Sequence, residues 1–334
     1  MKKILILLQL DEEQKRSILE AAPDADLTFS SPREVSAEQI ADADAILGQA
    51  PAALLPNARN LRWLQITNAG TEPYSLPGVL PSGAVLTNAS GTFGPAISEH
   101  MVACVFMLFK KLHLYRDNMA SAQWLDRGNV RRVEGAQVLV VGAGDIGTSF
   151  ARRMKALGCR TIGIKRTPAP CCPPEFDALY CMDALDALLP EADIVAMALP
   201  GTPATKGILH RGRIDSMKRD AVLVNVGRGN AVDCLALSDA LRENRLWGAA
   251  LDVTDPEPLP PEHPLWRCEN ALITPHVSGF THLPDTYVFT LELCRQNLRR
   301  FLEDAPLLNV VDLSTGYRAG GAEVLNFDRK DLRA

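Results

Sequence analysis

The sequence predicts an α/β protein built from two doubly wound parallel-sheet domains. Three observations carry that prediction. Short apolar runs alternate with helical patterns along most of the 334 residues, several runs are apolar on both faces, and one ends in a glycine-rich turn that opens a helix. A chain of this length accommodates two domains. Strand–helix alternation implies right-handed crossovers between parallel strands. Val138-Leu139-Val140-Val141 has the two-faced character of a strand covered by helices on both sides.

The first set of strands is read at residues 3–8, 26–29, 45–48, 62–67 and 84–87. The second is read at 137–141, 160–164, 193–198, 221–226, 248–253 and 271–274. A single helix over 96–115, with Met101, Val102, Val105, Phe106, Leu108 and Phe109, suits a buried connector between the sheets. Helical patterns also cover 147–157 and 233–243. A second long helix, over 285–303, is expected to return the chain to the first sheet. The first domain would then be discontinuous, residues 1–95 with 290–334, around a second domain at 96–289. The polar tail beyond Val311, with Gly316, Gly320 and Gly321, reads as an arm or a partly ordered end.

Composition narrows the function. At 47% hydrophobic and 22% charged the chain is ordinary for a globular protein. A net charge of −5 gives no basic bias toward nucleic acid. The start, Met1-Lys2-Lys3 before an apolar run, is too short for a signal peptide and is followed at once by Asp11, Glu12 and Glu13. No apolar stretch reaches the roughly 18–20 residues needed to span a bilayer. The eight cysteines contain no CxxC pair, so reduced thiols in a cytoplasmic enzyme are expected, with no metal ligand set.

The clearest local motif is GxGxxG at Gly142, Gly144 and Gly147, between an apolar strand and a helix. Glycines let the backbone turn tightly beside a pyrophosphate, and the helix start offers amide donors to it. A structural glycine turn and a methyltransferase loop are the competing readings. If the ligand were NAD, an acid about 20 residues on should accept from the ribose hydroxyls. No Asp or Glu occurs between Thr148 and Pro174, and the next strand runs into Lys165, Arg166 and Thr167. Those cations suit a 2′-phosphate, so NADP(H) is favoured over NAD(H).

Three further segments follow buried strands: Val226-Gly227-Arg228-Gly229, then Asp252 to Pro258 with Glu257 between two prolines, then Thr274-Pro275-His276. Ligands of open α/β sheets bind at strand carboxyl ends. An arginine there can hold a carboxylate and polarise a carbonyl. A histidine can supply a proton, and a carboxylate can orient its imidazolium. Arg228, Glu257 and His276 are therefore the candidate catalytic residues for reduction of a 2-keto acid.

On these segments the sequence resembles the D-isomer-specific 2-hydroxyacid dehydrogenases, which include glyoxylate/hydroxypyruvate reductases and phosphoglycerate dehydrogenases. The resemblance rests on GAGDIG at 142–147, VNVGRG at 224–229, AALDVTDPEPLP at 249–260 and TPH at 274–276, and covers nearly the whole chain. It implies a flavodoxin-like substrate domain and a Rossmann nucleotide domain. It implies that Arg228 binds substrate, His276 is the acid/base and Glu257 its partner. Asn68-Ala69-Gly70-Thr71 resembles the substrate loop, in which the amides of Ala69 and Gly70 take the substrate carboxylate. Asp145 and Ile146 join the glycines at the cofactor, Leu199, Pro200, Thr205 and Val226 line its site, and Asp252 meets the nicotinamide carboxamide. It also implies a homodimer. An NAD-linked phosphoglycerate dehydrogenase and a non-enzymatic NAD(P)-sensing corepressor are the two rival readings.

Overall fold

The structure is a computed structural model that describes residues 1–168, 170–279 and 283–319. Its chain divides into two compact units. One comprises Met1–Phe93 with the chain from Leu283 onward, and the other begins at Gly94.

The first unit holds a five-stranded sheet of β1 (Lys3–Leu7), β2 (Asp26–Phe29), β3 (Ala45–Gly48), β4 (Trp63–Gln65) and β5 (Val85–Thr87). All neighbours are parallel, in the order β2-β1-β3-β4-β5. Successive side chains of a strand face opposite ways, so both faces need cover. Leu5, Leu7, Ile46 and Leu64 pack with Ile40 and Leu55 on one face. Ile4, Ile6, Leu47 and Trp63 pack on the other, against Ile18 of α1 (Glu12–Ala21). The same face takes Leu291, Cys294, Leu298 and Phe301 of α9 (Pro284–Leu302), so the late helix does rest on the early sheet. Asn297 of α9 is fully buried, and its Nδ2 donates to Gln65 Oε1 at 2.7 Å. The first two helices, α1 and α2 (Ala37–Asp42), both start with a capping box, Asp11 with Gln14 and Ser36 with Gln39.

The described part of the tail, up to Ala319, carries regular structure. Strands β13 (Val311–Asp312) and β14 (Tyr317–Arg318) form a short antiparallel hairpin. The Asp312 carboxylate ties the turn by accepting from Ser314 N at 2.9 Å and Thr315 Oγ1 at 3.0 Å. Gly316 supplies a positive φ of 69°. Gly320 and Gly321 lie outside the described residues.

The second unit holds seven parallel strands: β6 (Gln137–Val141), β7 (Arg160–Lys165), β8 (Ala178–Cys181), β9 (Ile194–Met197), β10 (Val222–Asn225), β11 (Gly248–Leu251) and β12 (Ala271–Ile273). Their order, β12-β11-β10-β9-β6-β7-β8, reverses direction between β6 and β9. That is the topological switch point where ligands of doubly wound sheets bind. Strand β8 escaped the sequence reading; it is a four-residue edge strand, none of whose residues is fully buried.

The expected single helix over 96–115 is two helices, α3 (Gly94–Phe109) and α4 (Leu112–Ala120). Lys111 adopts a left-handed φ of 56°, which a continuing helix cannot contain. The Nζ atoms of Lys110 and Lys111 hold the break by donating to Arg131 O at 2.7 Å and Arg127 O at 2.5 Å. Neither glycine nor proline marks the site, and apolar spacing continues across it.

Helix α5 (Asp145–Ala156) follows β6, α6 (Leu185–Leu188) precedes β9, α7 (Arg211–Ser216) precedes β10, and α8 (Cys234–Arg242) follows it. Among the described residues no helix is long and apolar enough to cross a membrane. All eight cysteines are free thiols.

Candidate active site

The rim of the second sheet is set by glycines. At Gly142, φ is 109° and an added Cβ would lie 2.6 Å from Ala198 O. At Gly227 it would lie 2.6 Å from Leu199 O, and at Gly229 it would collide with the Thr254 carbonyl. The loops after β6, β9, β10 and β11 thus touch backbone to backbone, at separations no side chain allows. Gly147 in α5 is pressed against the Gly142 carbonyl in the same way.

Gly144 is different. A Cβ there meets nothing within 4 Å, so the space before the loop is open. Gly144 also caps α5 without any side-chain hydrogen bond to the helix start. Amide donors and the positive end of the helix dipole face that opening, among them those of Asp145, Ile146 and Gly147. These residues fit a dinucleotide pyrophosphate.

The end of β7 lies beside this loop. Ile164 O accepts from Gly142 N at 3.1 Å and from Ala143 N at 2.9 Å. Lys165 follows, half-buried, and then Arg166 and Thr167, exposed. Beyond β9 come Leu199 and Pro200. Thr205 folds back on them, its Oγ1 donating to Pro200 O at 2.7 Å and accepting from Thr202 N at 2.9 Å. Val226 follows the last residue of β10, its N donating to Met197 O at 3.1 Å, and is buried.

Arg228 stands in the turn after β10, half-buried. Asn225 staples that turn: its Nδ2 donates to Arg228 O at 3.1 Å and its Oδ1 accepts from Gly227 N at 3.0 Å. Arg228 Nη1 donates to Gly227 O at 2.9 Å. On the adjacent strand, Asp252 opens the loop that carries Glu257. On the next, Thr274 opens the loop that carries His276. Strand register aligns the three exits, with Asn225 beside Leu251 and Leu251 beside Ile273.

Glu257 and His276 meet. His276 Nδ1 lies 2.7 Å from Glu257 Oε1, with their side chains 40% and 44% exposed. A carboxylate on Nδ1 places that ring proton on Nδ1 and leaves Nε2 for proton exchange. His276 itself has a left-handed φ of 53°, a conformation that costs a non-glycine residue about 1–2 kcal/mol. Asp252 holds it there. Asp252 O accepts from His276 N at 2.9 Å, Oδ1 accepts from Val277 N at 2.9 Å and Thr274 Oγ1 at 2.6 Å, and Oδ2 accepts from Ser278 N at 3.0 Å. Burial works to raise the Asp252 pKa, but the hydrogen bonds from Ser278, Thr274 and the two amides outweigh it and bring it below the ordinary carboxylate value.

Ala69 and Gly70 belong to the first unit. Their loop is shaped by Asn88, whose Nδ2 donates to Ala69 O at 2.6 Å, and by Ala89 N, which donates to Asn68 O at 2.9 Å. Asn309 braces Asn88 in turn, its Nδ2 donating to Asn88 O at 3.2 Å and Ser90 O at 2.6 Å. Sequence reasoning missed Asn88, Asn309 and Ser278 as framework residues. One signal was available: an aspartate at the end of a buried strand needs donors, and Thr274 and Ser278 are the nearest hydroxyls on the next loop.

Comparisons with known proteins give the family. The model of the D-isomer specific 2-hydroxyacid dehydrogenase NAD binding domain matches residues 102–278. A D-isomer-specific 2-hydroxyacid dehydrogenase family protein of Aeromonas salmonicida is 31% identical, with a TM-score of 0.80, over 93% of this chain and 99% of that one. A D-isomer-specific 2-hydroxyacid dehydrogenase of Xanthobacter autotrophicus, solved with NADPH and MES, is 26% identical with a TM-score of 0.80, over 95% and 99%. A glyoxylate reductase of Thermofilum pendens is 29% identical over 261 residues, 75% of this chain and 76% of that protein. Fold, glycine turn and relatives together define an NAD(P)-dependent oxidoreductase acting on the CH–OH group of hydroxy acids. The chain belongs to the D-isomer-specific 2-hydroxyacid dehydrogenase family.

Proposed function

We propose that this protein is an NADP(H)-preferring 2-keto acid reductase with glyoxylate or hydroxypyruvate as substrate. The observation that carries the reading is the 2.7 Å His276–Glu257 pair on the rim that also bears Arg228 and the glycine turn. Arg228 takes the substrate carboxylate and draws electron density toward the keto oxygen. Ala69 and Gly70 enter the proposal as backbone amide donors for a carboxylate. His276, protonated and oriented by Glu257, gives its Nε2 proton to the C2 oxygen. A nicotinamide, when bound, would supply hydride chemistry at C2.

The preference for NADP(H) is supported by Lys165 and Arg166 at the end of β7, beside the glycine loop, and by a sequence without Asp or Glu from Thr148 to Pro174. The relative solved with NADPH agrees with it. The cofactor contacts expected of Leu199, Pro200, Thr205, Val226 and Asp252 belong to the same proposal. The test is a keto-acid panel run with both reduced nicotinamides, on the wild type and on a Lys165→Asp/Arg166→Ala double variant. A charge-assisted hydrogen bond is worth about 1.5–3 kcal/mol. We expect NADPH to be preferred at least tenfold, and the double variant to lose about 10- to 100-fold in kcat/KM with NADPH alone. A wild type that prefers NADH and a phosphorylated substrate would favour the phosphoglycerate dehydrogenase reading. Absence of turnover with every keto acid would favour a nucleotide sensor.

A homodimer is part of the proposal. Met119, Trp124, Leu125 and Val130, at the end of α4 and in the segment after it, are exposed apolar side chains that a second copy would cover. Sedimentation equilibrium is expected to give twice the 36.3 kDa chain mass, and a monomer at micromolar concentration refutes it.

A further inference from the structure

We infer that His100, on α3, is a positioning residue for the loop that carries His276, acting through a hydrogen-bond relay of His100, Thr274 and Asp252. The inference rests on the reading of His276 as the acid/base. Three observations within the second unit support it. Thr274 Oγ1 donates its only proton to Asp252 Oδ1 at 2.6 Å. His100 Nε2 lies 3.4 Å from the same oxygen. The hydroxyl can then only accept from His100, so Nε2 carries the hydrogen and His100 is the donor. The neighbouring Cys104 Sγ, 3.5 Å from Nε2, does not compete as a charged acceptor, because burial pushes its thiol up to about 12.

The relay has a mechanical meaning. A hydroxyl with both its proton and a lone pair engaged is held more firmly than one that only donates. With His100 on the lone pair, Thr274 is fixed toward Asp252. Asp252 in turn fixes the Val277 and Ser278 amides on either oxygen and receives His276 N on its carbonyl. Every one of these bonds flanks the strained φ at His276. Loosening the first should therefore let the imidazole leave the position in which Glu257 meets it.

The test uses His100→Leu, which removes the donor, His100→Gln, which keeps an N–H near the Nε2 position, and Thr274→Val, which keeps the side-chain shape and breaks the relay in the middle. The first readout is the His276 imidazole resonance of the cofactor-free protein, assigned with His276→Asn. The second is kcat with a keto acid, alongside the Kd for NADPH. His100→Leu is expected to shift or broaden the His276 signal and to lower kcat about tenfold, with Kd changed less than twofold. His100→Gln should restore both readouts to within threefold of wild type. In the Thr274→Val background, His100→Leu should add less than a further twofold loss. Independent, multiplying losses, an unmoved His276 signal, or a glutamine variant as poor as leucine would each overturn the relay. A signal that moves while kcat does not would leave the relay standing and refute the acid/base role of His276 instead.

Discussion

Replacing His276 by alanine is expected to lower kcat for keto-acid reduction by about a thousandfold, while NADPH binding stays within twofold. General acid catalysis by a positioned side chain contributes about 10²–10⁴-fold. The Glu257 carboxylate, 2.7 Å from Nδ1, raises the share of that effect carried by this one ring. In the proposed role it orients the imidazole for transfer from Nε2. Steady-state kinetics with a fluorescence titration of NADPH separate the two quantities. Glu257→Gln keeps a hydrogen-bonding group but removes the charge, so a smaller loss, about 10- to 100-fold, is expected in the same assay. A His276→Ala enzyme with wild-type turnover would remove the proton donor from the mechanism and with it the reason for the pair.

Arg228→Leu carries the second large effect. Here kcat/KM for the keto acid is expected to fall about a thousandfold, with losses in both KM and kcat. A bidentate guanidinium–carboxylate contact is lost in the ground state, and a positive charge near the developing alkoxide is lost in the transition state. Lysine should not rescue it. A lysine ammonium is a point charge without the planar fork, and the Arg228 turn is immobilised by Asn225 and by the close approach of Gly229 to Thr254. The measurement is an initial-rate matrix in keto acid at saturating NADPH. If Arg228→Lys matched the wild type, simple charge would suffice and the directed-fork account would fail.

Much of this protein was legible in its sequence, for a definite physical reason. Parallel strands buried on both faces must be continuously apolar, and the ladders of β6, β10 and β11 announced themselves that way. The expected strands tended to overrun the ladders: Val226, Asp252, Val253 and Thr274 were read as strand residues and are loop residues. The apolar or β-branched character of Val226, Val253 and Thr274 suits a strand, but their backbones serve the rim. Gly142 and Gly147 were legible because a Cβ has no room there, whereas Gly144, where a Cβ meets nothing within 4 Å, was legible only through the spacing of the motif. The Glu257–His276 pairing could be argued only from chemistry, since 19 positions separate them and no local pattern links them. The break at Lys111 was illegible, since it depends on two lysines reaching carbonyls near residue 130. The framework roles of Asn88 and Asn309 were equally hidden. A polar residue that satisfies a distant loop is indistinguishable in a sequence from one that faces water.

The main-chain contacts along the rim constrain how a protein of this kind can diversify. Segments after four strands lean on one another with no room for a methyl group at Gly142, Gly227 or Gly229. Inserting or deleting a residue in any of them would displace its neighbours as well. Tolerated variation at this edge is thereby confined to what the side chains present, with the skeleton kept in register. Engineering a new substrate range should start from exchanges on the Asn68–Thr71 stretch and spare the lengths of the four segments.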